Sequence, residues 1–268
     1  MQVSRSGYYQ WRATGNVSKD KETVLEARAT KLFYEHKQIV GSRRLSALLK
    51  QEGFNVGRFK TRSLMKKLHL IARCPKRYPV VKKEAVRGKV ENLVNRMFTV
   101  ELPNTVWTTD ITYLNTPRGW MYLAVVIELY SRLIVGYAIA THMEASLCVE
   151  ALRMAYWRRK PAKGVIIHSD QGSQFTSHAF RQEASKYGMK NSYSRVGCCE
   201  DNAPTERFFR SLKHEHLCYK KVSNHDDMRL AVTDYLAYYN SKRPHSKLGY
   251  LAPLEFESSR QHAILLAA

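Results

Sequence analysis

Three carboxylates carry the most chemical information in this chain. Asp110 interrupts the strand-like run Trp107, Thr108, Thr109, Asp110, Ile111, Thr112, Tyr113, where an unpaired acid is ordinarily unfavourable. Asp170 closes the apolar run Val165, Ile166, Ile167, His168, Ser169 and is followed by Gln171 and Gly172, which puts it at the C-terminal edge of a strand. That edge is where α/β sheets place their ligands. Glu206 lies on a helix-like segment, and Asn202, Arg210 and Lys213 fall within about 40° of it on a helical wheel, while Phe208 and Leu212 point away. Hard oxygen ligands with open coordination positions suit Mg²⁺. Two such ions ~4 Å apart can activate a water or a 3′-hydroxyl and stabilise a leaving oxygen.

Each acid also has an ordinary reading. Asp110 could sit at a strand edge, Asp170 could form a loop or cap, and Glu206 could be a first-turn acid favoured by the helix dipole. The joint placement of all three in one domain, on a strand, a strand end and a helix, favours the shared site. Mutual repulsion predicts that the metal-free triad is loosely assembled.

The elements that must position these acids follow from periodicity. Val106–Leu114, Tyr122–Leu129 and Leu133–Thr141 read as three antiparallel strands, the first two joined by the turn Thr116, Pro117, Arg118, Gly119. A helix over Ser146–Arg159 stops at Pro161. A strand Gly164–His168, a helix Ser177–Tyr187 and a short strand Asn191–Ser194 follow. One long helix from Ala203 to Leu217 and another from Asp226 to Tyr239 complete a mixed α/β domain.

Ahead of it, residues 21–74 read as three short helices. Leu25, Ala29, Leu32 and Phe33 form one stripe, Leu45, Leu48 and Leu49 a second, and Phe59, Leu64, Met65 and Leu68 a third, with Ser42 as an N-cap. This is a helix-turn-helix-like pattern. Its third helix carries Arg58, Lys60, Arg62, Lys66 and Lys67, suited to a phosphate backbone or a groove. From Arg73 to Lys89 seven basic residues meet one acid and two prolines, which predicts an extended linker tracking DNA, with Lys82, Lys83 and Arg87 among its contacts.

The charge supports a polyanionic partner. The chain carries +21 overall, and its first 100 residues hold 23 Lys and Arg against 7 acids. Neutralising phosphates releases counterions and gives affinity without sequence reading. The 5 cysteines form no CxxC pair and leave an odd thiol under any pairing, which argues against a disulfide framework and for a reducing compartment. His214, His216 and Cys218, spaced by two, do not gather on one helix face as a zinc site would need. No run approaches the ~20 apolar residues that cross a membrane, and the N-terminus has no signal-peptide core.

At these residues the sequence closely resembles the orfB-type insertion-sequence transposases, which share the retroviral integrase core and a D, D, 35 residues, E signature. Here 35 residues separate Asp170 from Glu206. The resemblance runs through WTTDITYL, GWMYLAVVIELYSRLIVGYA, HSDQGSQFTS, DNAPTERFFRSLKHE, YYNSKRPHSKLGYLAPLEF and, ahead of the core, GSRRLSALLKQEGFNV, covering residues 4–258.

It implies an α/β, RNase H-like catalytic core, a mixed five-stranded sheet with helices, preceded by a small helical domain. The expected organisation is a helical DNA-binding region over 1–74, a basic linker over 75–98, the core with a C-terminal helical extension over 99–258 and a tail over 259–268. It further implies cleavage that exposes 3′-hydroxyls at element ends and their transfer into target DNA. Asp110, Asp170 and Glu206 would hold two Mg²⁺ ions, with Mn²⁺ as substitute. Lys213 matches the basic position seven residues after the glutamate, which contacts DNA near the site.

The implied partners are the element ends, the target DNA, further copies of the chain in a synapse and the protein of the upstream reading frame. The implied location is the bacterial cytoplasm, on the nucleoid. Two departures stand out. Relatives carry more protein before the segment VSRSGYY, so this chain is expected to lack the part that recognises element ends, and Cys198 stands where Asn is expected. A resolvase-like nuclease or a catalytically silent DNA-binding regulator derived from a transposase are the competing readings.

Overall fold

The computed structural model describes residues 4–73, 91–195 and 198–267. Two compact units emerge, one comprising Met1–Cys74 with Pro244–Tyr250, the other Pro75–Arg243 with Leu251–Ala268.

The first unit holds α1 (Arg5–Glu35), α2 (Ser42–Gln51) and α3 (Arg58–Lys67) around Leu25, Ala29, Leu32, Phe33, Leu45, Leu49, Val56, Leu64 and Met65. Three details differ from the sequence reading. The first helix begins at Arg5 rather than near residue 21, because propagation from an established helix adds one hydrogen bond per residue and needs no new nucleus. Gly41, in an extended conformation, holds the N-cap position and Ser42 is the first helical residue. Phe59 leaves the core and is 77% exposed. The buried residues of α3 are Thr61, Leu64 and Met65, and Phe59 lies five positions before Leu64, about 140° around the helix. The Arg58 guanidinium sits over its ring instead.

The second unit is built on a five-stranded sheet in the order β3-β2-β1-β4-β5. Its strands are β1 (Val106–Thr116), β2 (Gly119–Glu128), β3 (Ile134–Ala140), β4 (Ile166–Ser169) and β5 (Lys190–Tyr193). β1, β2 and β3 form an antiparallel meander, while β4 pairs parallel to β1 and β5 parallel to β4. The β1–β2 turn closes tightly because Gly119 takes φ 109°, a conformation that penalises any side chain, and the Thr116 hydroxyl donates to its carbonyl at 2.7 Å. This is the RNase H-like arrangement, with β1 central and each parallel pairing reached through helical crossovers.

Those crossovers are α4 (Ala145–Arg159) between β3 and β4, then the short α5 (Ser173–Thr176), which has no counterpart in the sequence reading, and α6 (His178–Lys186) before β5. α4 packs on the sheet through Leu147, Cys148, Ala151, Leu152 and Ala155, meeting Trp107, Val126 and Val135. The approach is tight at Gly136, where an added Cβ would lie 2.7 Å from the Ala155 amide nitrogen and 2.8 Å from its Cβ, and would also collide with the Ala151 carbonyl. Backbone cannot yield as a flexible side chain can. Gly136→Ala is therefore expected to cost at least the ~1–3 kcal/mol typical of overpacking, read as a lowered denaturation midpoint at unchanged slope.

Beyond β5 the expected helix Ala203–Leu217 is not uniform. It is α-helical as α7 (Ala203–Ser211), passes through a π turn at Leu212–His216 and ends in a 3₁₀ turn at Leu217–Tyr219. The wider turn lets Leu212 and His216 both bury while Glu215 reaches Arg243. α8 (His225–Ser241) is capped by Asn224, which accepts from the Asp227 amide at 2.8 Å. α9 (Pro253–Ala267) runs through the segment read as a tail. Among the described residues no helix is long and apolar enough to cross a membrane.

Candidate active site

β1 is buried along its first half because it is hydrogen-bonded on both sides and packs against α7 and α8. Asp110 stands midway along it. Its carboxylate accepts from the Ile111 amide at 2.7 Å. The last β1–β4 pair is Thr108 with His168, and Asp110 and Asp170 each lie two residues beyond that pair. The two acids therefore leave adjacent parallel strands at the same level, where strand spacing is about 4.8 Å. Asp170 has just left β4, and its Oδ1 accepts from the Gly172 amide at 2.9 Å, turning the chain into α5.

Electrostatics link the pair. The Cys148 thiol on α4 is driven up, first by burial and then by the negative charges of Asp110 and Asp170. The half-buried Lys213 ammonium of the π turn is pushed down by burial, with the negative charge of Asp110 as the opposing influence. His214 beside it is lowered by burial and by the neighbouring charges of Arg210 and Lys213.

Glu206 is exposed on the first turn of α7. Among the described residues no three His, Cys, Asp or Glu side chains stand close enough together to hold a metal ion, so the three acids do not form a closed ligand shell. The donor set nevertheless fits a hard divalent cation in kind. It consists of carboxylate oxygens alone, two of them each two residues beyond the last pair of neighbouring strands β1 and β4 and one on a helix packed against β1.

What holds α7 there was not visible in the sequence. His168 is fully buried; its Nδ1 lies 2.8 Å from the Ser192 hydroxyl and its Nε2 3.0 Å from the Asp201 carbonyl. A carbonyl only accepts, so Nε2 carries the proton and Nδ1 accepts from Ser192, whose oxygen in turn accepts from the Leu93 amide at 2.9 Å. Burial lowers the imidazole's pKa and keeps it neutral. Asp201, also fully buried, accepts from Arg195, Arg96 and Asn92, with the Arg195 guanidinium foremost in holding its carboxyl far below the usual range. These contacts pin the turn before α7 to β4 and β5. Their only trace in the sequence was adjacency, His168 two residues before Asp170 and Asp201 five before Glu206.

The remaining residues singled out from sequence divide into four groups. Arg210 is exposed and Lys213 half-buried, four and seven residues after Glu206 along the chain. Asn202, expected to contact DNA, is 3% exposed, with Nδ2 donating to the Thr109 carbonyl at 3.1 Å and Oδ1 accepting from the Thr205 hydroxyl at 2.9 Å. The wheel placed it beside Glu206 correctly in angle but not in depth. In the first unit Arg58, Lys60, Arg62, Lys66 and Lys67 are all exposed on α3, with Lys67 engaged by Glu22 and Glu26. Lys82, Lys83 and Arg87 lie outside the described residues.

Comparison with known proteins adds family. Residues 101–199 match the family described as Integrase core domain, residues 187–253 a second Integrase core domain family, and residues 19–78 an HTH-like domain. The chain is 36% identical over 259 residues to the insertion element IS600 uncharacterized 31 kDa protein of Shigella sonnei, covering 95% of this chain and 94% of that one. It is 35% identical over 263 residues to the transposase InsF for insertion sequence IS3A of Escherichia coli K12, covering 96% and 91%. Among solved structures, the HTLV-2 integrase catalytic core domain in complex with magnesium aligns at 18% identity and a TM-score of 0.45, covering 58% of this chain and 97% of that one.

Proposed function

Given that this chain belongs to the insertion-sequence transposases with an integrase core, DNA strand transferases whose family uses divalent metal ions, we propose that Asp110, Asp170 and Glu206 are its catalytic metal ligands. The observation that carries this reading is the level placement of Asp110 on β1 and of Asp170 just past the end of the adjacent parallel β4, with Glu206 on a helix packed against β1. Two Mg²⁺ ions held there, with Mn²⁺ as substitute, would ready a water or 3′-hydroxyl for attack and stabilise the leaving oxygen. The chain's own residues do the rest. Lys213 and Arg210 hold the phosphate of the reactive DNA end against the acids, and the apolar packing of β1 keeps the two aspartates from splaying apart.

In this proposal residues 1–74 bind DNA, 75–98 link, and 99–258 perform cleavage of the element ends and their joining to target DNA. Copies of the chain synapse two ends, the protein of the upstream reading frame is a further partner, and the setting is the bacterial cytoplasm. The test is joining of a labelled 3′-hydroxyl end to a target duplex in Mg²⁺ or Mn²⁺. A silent regulator would bind the same DNA and join none of it.

The first unit supplies sequence-independent affinity through α3. Replacing Arg58, Lys60 and Arg62 together with Ala is expected to flatten the log–log dependence of DNA affinity on salt by roughly 0.9 for each phosphate no longer neutralised. An unchanged slope would move the DNA surface away from α3.

A further inference from the structure

Asn202 occupies the N-cap position of α7, where an asparagine normally turns back to accept a hydrogen bond from its own helix. Here it makes no such cap. Its side chain crosses to β1 instead, and Thr205, one turn on, crosses with it. The Thr205 hydroxyl lies 2.9 Å from Asn202 Oδ1 and 2.8 Å from the Thr108 hydroxyl. It has a single proton. The amide oxygen can only accept, so that proton goes to Asn202, and the Thr108 hydroxyl donates to Thr205. Asn202 Nδ2 then donates to the carbonyl of Thr109, the residue after Thr108, and a ring closes between the first turn of the helix and one stretch of strand. All four residues are buried, three of them fully and Asn202 at 3% exposure.

The position of this ring in the chain is its significance. Thr108 and Thr109 are the two residues before Asp110, and Thr205 is the residue before Glu206. Directional bonds with no solvent competition thus join the backbone that carries one acid to the backbone that carries the other. The turn that contains Asn202 is also joined to β4, through His168 and the Asp201 carbonyl, two residues before Asp170. An apolar contact could hold α7 on the sheet but would let it slide or rotate. This ring does not.

We propose that Asn202 and Thr205 are positioning residues, which set where Glu206 stands relative to Asp110 and thereby make the site selective for a cation of exacting geometry. The inference rests on the proposed ligand role of the three acids. Mg²⁺ demands near-ideal octahedral coordination, whereas Mn²⁺ is less exacting, so loosening the ring discriminates between them. Loss of an outer partner of a metal ligand commonly costs about 10–100-fold in metal affinity or activity.

The experiment uses the full chain carrying Thr205→Val, which keeps shape and removes the hydroxyl, and Thr205→Ser, which restores it. Joining is measured in Mg²⁺ and in Mn²⁺, Mn²⁺ affinity is measured without DNA by electron paramagnetic resonance, and the melting temperature is recorded. Thr205→Val is expected to lose about ten-fold or more in Mg²⁺-dependent joining, to lose less in Mn²⁺, and to bind Mn²⁺ more weakly, with Thr205→Ser close to the parent in all three. Equal losses in both metals with unaltered Mn²⁺ affinity overturn the proposal, as does a failure of Thr205→Ser to restore the parent ratio. If Thr205→Val does not fold, Thr108→Val removes the same bond from the strand side and is read by the same ratio. Glu206→Gln is assayed in parallel. If it joins normally, the ligand assignment itself falls. If it is dead while Thr205→Val keeps the parent metal ratio, only the positioning role falls.

Discussion

Joining of a 3′-hydroxyl end is expected to fall by a thousand-fold or more in each of Asp110→Asn, Asp170→Asn and Glu206→Gln, a loss of roughly 4 kcal/mol of transition-state stabilisation. Phosphodiester transfer needs a positioned nucleophile and a stabilised leaving oxygen, and an amide is a poor ligand for the cations that would supply both. The fold should survive. The bond from the Ile111 amide to Asp110 and that from the Gly172 amide to Asp170 can both be accepted by an amide oxygen, and Glu206 is exposed. DNA affinity should survive as well, because it comes from Lys and Arg contacts to phosphate. Joining, duplex binding and circular dichroism measured on the same preparations separate these effects. Near-normal joining by Glu206→Gln in Mg²⁺ would remove Glu206 from the site.

A second large effect lies beneath the π turn. Arg243, 6% exposed, donates to both Glu215 oxygens at 2.8 Å and to the Ser211 hydroxyl at 3.1 Å, and stacks over the Tyr239 ring. Glu215 also accepts from the Tyr235 hydroxyl at 3.1 Å. This ion pair holds together α8 and the turn that carries Lys213. Arg243→Met removes the guanidinium that holds both Glu215 oxygens in a largely dry setting, and should destabilise the protein by about 3–5 kcal/mol. Replacing the pair together, Arg243→Met with Glu215→Leu, should recover much of that loss because no charge remains buried. Chemical denaturation of the two variants measures both. A single variant that loses less than about 1 kcal/mol would mean that the carboxylate finds water on its own.

The ion pair also accounts for part of a motif. The run YYNSKRPHSKLGY, read from sequence only as a family mark, contains Tyr238, Tyr239 and Asn240 of α8, and Arg243 just past its end. Tyr239 packs edge-on against Phe208 of α7 at 4.9 Å between ring centroids, and Asn240 pairs with the backbone of Ile134 in both directions. Tyr239, Asn240 and Arg243 of that run therefore serve to hold the helix that carries Glu206, the π turn after it and the first residue of β3.

What the sequence determined by itself was whatever depends on local periodicity and on type. Alternation along Val106–Leu114, the Pro-Arg-Gly turn after it, and the apolar stripe of Leu45–Leu49 gave a strand and a helix near their observed bounds, and the stripe of Leu25–Phe33 gave a helix but not its start at Arg5, since each pattern has one face that must be buried. The three acids stood out because carboxylates are rare in such surroundings, and the D, D, 35 residues, E spacing tied them to a family. Periodicity could not see long-range partnership. A wheel gives the angle of Asn202 but not that a strand lies 3.1 Å away to receive its amide. It assumes 3.6 residues per turn, and so missed the π turn that carries Lys213, whose cost is offset by an arginine 28 residues downstream of Glu215. Phe59 went to the surface and Gly136 became a place of close approach of helix to sheet for the same reason: which face of an element is covered is decided by the elements that pack on it, and only the tertiary fold brings those together.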